Sequence, residues 1–148
     1  MKKQSIIAAI AALAFLGMAC TKTDHNGGYN SNFPEINTFV ETYFSRTSIQ
    51  RIETDNDEID VKLADKTEID FCLNYDWKMI DCERSRLYGT VPSELVPAQI
   101  NDHVAASYPN NHIDKIEKTY RGGWEIELDN DIDIEFDQDF NVIEVGVK

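Results

Sequence analysis

Positive charge is scarce in this sequence: 14 Lys and Arg stand against 27 Asp and Glu, a formal net charge of -13. A chain this acidic is repelled by nucleic acid and by anionic lipid, so neither is an expected partner. Three cysteines in 148 residues are too few for a disulfide-built scaffold. The histidines His25, His103 and His112 share no metal-ligand spacing. No glycine-rich phosphate loop and no Ser, His and acid constellation occurs, and "RGGW" (121–124) reads as a turn between strands. Acids are abundant, but a general acid needs surroundings that lift its pKa, and open strand faces do not supply them. The expectation is a protein that is not an enzyme and carries no cofactor.

Long apolar runs are missing as well, except at residues 1–19. There Lys2 and Lys3 precede an uncharged, mostly apolar stretch that closes on Ala19. This reads as a signal peptide, too short for a membrane span. The ending "LGMAC" resembles the lipobox of bacterial lipoproteins, with Gly17 where a branched residue or Leu is usual. The resemblance implies that Cys20 is acylated and is the chain's one attachment to a membrane, on the periplasmic or the cell-surface side of the outer membrane. Residues 20–32 are polar and rich in Gly and Asn. They bury too little to offset ordering entropy and read as a tether. Residues 33–148 are then one domain.

What is present is the same unit twice. "IDFCLNYDWKMID" (69–81) aligns with "IDIEFDQDFNVIE" (132–144) at a shift of 63, which sets Trp77 on Phe140 and Ile80 on Ile143. Upstream, "FPEINTFVETYFSRTSIQRIE" (33–53) resembles "VPAQINDHVAASYPNNHIDKIE" (96–117), with Pro34 on Pro97, Val40 on Val104 and Ile52 on Ile116. Each copy opens with a proline where a helix begins. Ile36, Phe39, Val40, Tyr43 and Phe44 make one helix face, and Ile100, Val104 and Tyr108 a weaker one. Period-two runs follow, "IDVKL" and "IDFCL", then "WEIEL" and "IDIEF", which are strands with one buried face. Close turn signals between them require antiparallel hairpins. The fold class is therefore α+β: two tandem repeats (about 33–83 and 96–148), each a helix packed on three or four antiparallel strands. A unit of about 50 residues buries too little alone, so the copies share a core.

The proline-led helix, the "YP" at Tyr108 and Pro109, "WEIEL" and "FDQDFNVIEV" resemble the PepSY-like, beta-lactamase-inhibitor-like family of bacterial exported proteins, over essentially all of 33–148. The family's hairpin tip reads Asp-x-Asp-Gly, and this chain departs from it with Trp77 and Phe140 at the corresponding places. The resemblance implies an antiparallel sheet with helices on one face and no catalytic residues.

Alternation places Glu125, Glu127, Asp129, Asp133, Glu135 and Asp137 together on the face away from the core. Two readings stand: a solvated face, or a docking surface for a basic protein or peptide in which binding relieves the repulsion. Copy one offers Asp60, Lys62, Asp70, Cys72 and Asn74 at the corresponding face, which makes the acidic pattern a property of copy two. Tyr75, Trp77 and Phe140 either fold back on the core or serve as anchors on hairpin tips. Asp137, Asp139 and Asn141 have the first ligand spacings of an EF-hand loop, but Val142 and Lys148 stand where its glycine and twelfth-place glutamate belong, so no metal site is assigned and a weak calcium-binding surface protein is the third reading. Cys72 and Cys82 flank one hairpin. They bond only if a bulge shifts the register.

Overall fold

A computed structural model describes residues 33–148. The expected signal peptide, Cys20 and the tether lie outside the described residues. The chain runs α1 (Pro34–Tyr43), β1 (Ile49–Thr54), β2 (Glu58–Leu63), β3 (Glu68–Cys72), β4 (Trp77–Asp81), a 3-10 turn (Ser93–Leu95), α2 (Ala98–Ser107), β5 (Ile113–Lys118), β6 (Trp124–Leu128), β7 (Ile132–Phe136) and β8 (Val142–Val147). The eight strands form one open antiparallel sheet in chain order. The two repeats are thus fused through the β4–β5 pair, where Ile80 lies opposite Ile116.

Helix α1 starts with Pro34 in its first turn, while α2 takes Pro97 as its N-cap. Each helix presses two residues of its apolar stripe into the sheet: Ile36 and Val40 from α1, Ile100 and Val104 from α2. Phe44, at the end of α1, is fully buried. The alternating strand residues Ile59, Val61, Leu63, Ile69, Phe71, Ile80, Ile116, Ile126, Leu128, Ile134 and Phe136 complete a single core shared by both copies. Rings of the helices meet rings of the strands edge-on, Phe39 against Phe71 at 5.2 Å and His103 against Phe136 at 5.4 Å.

The repeat is real, but the strands match at a shift of 65, not 63. Phe71 and Phe136 are the residues whose partners, Trp77 and Val142, stand just before a bulge in the next strand. Ile69 therefore corresponds to Ile134, Ile80 to Val145 and Cys82 to Val147. A slip of two residues keeps every side chain on its own face, so the period-two pattern could not detect it. At the tips the counterpart of Phe140 is Tyr75: both are left-handed, at φ 63° and 68°. The N–H of each closes the turn onto residue 137 or 72 three places back. These are the positions where the resembling family has glycine, so here two aromatic residues accept a conformation that costs roughly 1–2 kcal/mol.

Cys72 and Cys82 do not bond to each other. Cys72 lies at the tip of the β3–β4 hairpin, where its N–H donates to the Asp76 carbonyl. Cys82 lies just past the other end, beside the Glu68 to Asp81 pair, and its N–H donates to Asp114 O. At strand rise the two are about 16 Å apart, against a limit of about 7 Å between α-carbons. Cys82 is a free, fully buried thiol, pushed up to about 12 mainly by burial.

Candidate functional site

Among the described residues, helices cover one face of the sheet and leave the other open. One residue from each strand lines up there: Glu53 opposite Asp60, Asp60 opposite Asp70, Asp70 opposite Met79, Met79 opposite Glu117, Glu117 opposite Glu125, Glu125 opposite Glu135 and Glu135 opposite Glu144. Seven acids and one methionine thus form a row running perpendicular to the strands. At the usual strand spacing of about 4.8 Å it is about 34 Å long. The acidity is not confined to copy two, because Asp60 and Asp70 stand directly opposed and continue the same line. Cys72, opposite Glu58, keeps the parity of this face but is buried, and Asn74 belongs to the hairpin tip, where its side chain holds Asp76.

Basic residues neutralise the flanks of this row and leave its centre unpaired. Lys62 pairs with Glu68, Lys78 with Glu58 at 2.9 Å and Arg51 with Glu53 at 3.1 Å. Asp60, Asp70, Glu117, Glu125, Glu135 and Glu144 have no basic side chain within ion-pair distance among the described residues. Asp60, Asp70 and Met79 help to line an open depression of about 270 Å³.

Of the six acids expected to act together, the structure keeps two in the row. Glu125 and Glu135 face each other. Glu127 is buried and ion-paired with Lys148, whose ammonium also lies 3.8 Å from Asp133. Gly146, opposite Asp133, has no side chain to block that reach. Asp129 accepts from the Asn111 amide at 2.8 Å and sits 3.2 Å from the His112 imidazole, tying two loops together. Its hydrogen bond from Asn111 holds it below its ordinary pKa. Asp137 accepts from the Asn141 side chain and from the backbone N–H groups of Asp139 and Asn141, and these bonds hold it low. "DQDFN" is therefore a hairpin turn closed by its own carboxylate, and among the described residues no group of three or more His, Cys, Asp or Glu is disposed to hold a metal.

Trp77 and Phe140 are half-buried against the core. Trp77 packs on Trp124 at 5.9 Å and carries the Lys118 ammonium 3.9 Å from its ring centre. Burial holds Lys118 below its ordinary pKa. Tyr75 is 38% exposed and packs edge-on against Phe33. Sequence reasoning missed Glu53, Glu117 and Glu144, which belong to the row, and Asp114. Asp114 sits where the β5–β6 register shifts, and its Oδ1 is buried without a hydrogen-bond partner among the described residues.

The crowding has an energetic consequence. Burial first, then Asp60 and Glu58, lift Asp70 to about 6; burial, then Glu127, lift Asp114 to about 6. Both start from 3.8. Between those values the folded state holds more protons than the unfolded one, so stability falls as pH rises from about 4 to 6 and stays lower above. Replacing both with Asn removes that dependence. Thermal melts of the D70N/D114N variant are expected to exceed the parent at pH 7.5 by about 2 kcal/mol, after discounting Asp70 for its exposure, and to match it near pH 4. Equal gains at both pH values would show that charge is not the cause.

Comparison with known proteins agrees with this architecture. Two solved structures of Bacteroides vulgatus proteins, each described as a "putative periplasmic protein", are 31% identical. One covers 76% of this chain and 88% of its own with a TM-score of 0.67, the other 76% and 89% with 0.66. A Bacteroides thetaiotaomicron structure described as a "putative calcium-regulated periplasmic protein" is 25% identical over 78% of this chain and 91% of that one, with a TM-score of 0.68. Among curated proteins nothing matches. The described residues contain no helix long and apolar enough to cross a membrane. The model of the family described as "Putative beta-lactamase-inhibitor-like, PepSY-like" matches residues 29–71 and 57–144, two overlapping stretches that together span both repeats, and the chain belongs to that family.

Proposed function

We propose that this chain is a lipid-anchored, extracytoplasmic, non-enzymatic binding module that docks a basic protein or peptide on the open face of its sheet. The supporting observation is the unpaired acid row from Asp60 to Glu144. Like charges directly opposite each other destabilise a sheet by tenths of a kcal/mol per pair. A cationic partner lying across the strands relieves several of these at once and is steered in by the field. The periplasmic description of the relatives supports the location, and the "LGMAC" segment supports Cys20 as the anchor. Trp77 and Phe140 contribute to the core instead, which leaves Tyr75 as the exposed ring of these three.

The test is capture from envelope extract with salt-gradient elution. The E117K/E125K/E135K variant is expected to lose the captured species, while E35K/E41K/D102K, an equal charge reversal on the exposed helix residues, keeps it. Equal loss in both variants would mean that net charge and not this face governs capture. No capture at low salt by the parent would favour an envelope lipoprotein whose acidity serves solubility alone.

A further inference from the structure

The two edges of the sheet are built differently. β1 is edged by Gln50, Arg51, Glu53 and Thr54, the polar and charged side chains that discourage strand addition. β8 exposes Val142 (40%), Ile143 (58%), Val145 (51%) and Val147 (77%). The bulge at Ile143 and the pairing of Val145 with Ile134 and Val147 with Ile132 put these side chains on the core side of the sheet, and leave Glu144 and Gly146 on the open face. Repeat one shows what such a strand is made for. Its counterparts Ile80 and Cys82 in and after β4 are 0% exposed, because β5 lies alongside. The backbone is equally unfinished: Lys148 N–H donates inward to Asp131 O, so by alternation the N–H and C=O groups of Val145 and Val147 point out from the open edge.

We propose that β8 pairs antiparallel with β8 of a second copy, about a two-fold axis at Val145. The outward amide groups of Val145 make the hydrogen-bonded pair across the axis. Ile143 then lies opposite Val147 of the other copy, and Glu144 opposite Gly146, so that no acid meets an acid directly. A register centred on Glu144 would set the two glutamates against each other. One centred on Ile143 would leave Val145 facing Asn141. The pairing continues both sheets into one of sixteen strands, with the apolar side chains of both copies joined on one face. The buried area is on the order of 800 Å² in total, below the range of stable specific interfaces, so the dimer is weak and concentration-dependent. Each copy carries -13, so added salt strengthens this dimer, the opposite of its effect on a basic partner docked at the acid row.

The test uses the full chain carrying Val145→Cys, with the unsubstituted chain as the baseline for its native thiols and Thr54→Cys on β1 as the opposite-edge control. A short bifunctional maleimide is expected to give covalent dimer above baseline with V145C and none above it with T54C. Sedimentation of the unsubstituted chain is expected to show a mass that rises toward the dimer with concentration, more so in high salt. V145C that accepts a monofunctional maleimide yet forms no dimer above baseline would overturn the proposal. So would equal dimer from T54C, or a strictly monomeric mass at every concentration and salt.

Discussion

Substituting Gly123 with alanine is expected to destabilise the fold by about 3 kcal/mol or more, read as a fall of more than about 10 °C in melting temperature. Gly123 is buried where the β5–β6 turn closes. Its N–H donates to the Thr119 hydroxyl at 3.1 Å and its carbonyl accepts from the Thr119 N–H at 3.0 Å. Neither bond needs glycine. The space does: a β-carbon there would lie 2.1 Å from the Phe136 carbonyl oxygen, a backbone atom of β7. Relief requires β6 and β7 to part at the pair of Trp124 with Phe136, which opens the core beside a fully buried ring. A loss below 1 kcal/mol in chemical denaturation would show that this end of the sheet yields easily.

Asp65→Ala is expected to cost about 3 kcal/mol, and Asp65→Asn less than half of that. Asp65 is 4% exposed in the β2–β3 turn. One carboxylate oxygen accepts from the Thr67 N–H at 3.2 Å; the other accepts from the Thr67 hydroxyl at 3.1 Å and from the Ser85 hydroxyl. Its backbone carbonyl accepts from Arg86 N–H at 2.9 Å, and its own N–H donates to the Thr47 hydroxyl at 3.2 Å. The residue thereby pins the connection that leaves β4 for repeat two. Alanine removes the carboxylate that accepts from both the N–H and the hydroxyl of Thr67, itself fully buried; asparagine keeps one oxygen. Cys82 gives an independent readout, because its thiol hydrogen-bonds Thr67. It should react with a thiol reagent under native conditions in the alanine variant and stay protected in the parent. A protected thiol together with an unchanged denaturation midpoint would mean that the loop is held by other contacts.

Most of the architecture was legible in the sequence, since hydrophobic spacing reports burial directly. Ile36, Phe39 and Val40 recur at helical spacing, the "IDVKL" and "WEIEL" runs alternate, and the repeat announces a shared core. The two-residue error in repeat register, 63 against 65, arose because period-two strings match equally well after an even slip. Only the bulges, which place Phe71 opposite Trp77 and Phe136 opposite Val142, fix the frame, and nothing local in the sequence marks them. The same slip assigned the left-handed tip to Trp77 instead of Tyr75.

For the candidate site, the sequence determined that acids would gather on one side of each strand, because alternation alone decides a face. It also fixed the net charge. Which acids stand side by side depended on how eight strands pair over the length of the chain. That order joined Asp60 and Asp70 of repeat one to Glu117, Glu125, Glu135 and Glu144, and it drew Glu127 and Asp133 to Lys148. It likewise set Cys72 and Cys82 at opposite ends of one hairpin, and it left β8 with core-type side chains and, among the described residues, no strand on its outer side. The physical reason is that side-chain direction is a property of the strand, whereas registry and edges are properties of the sheet.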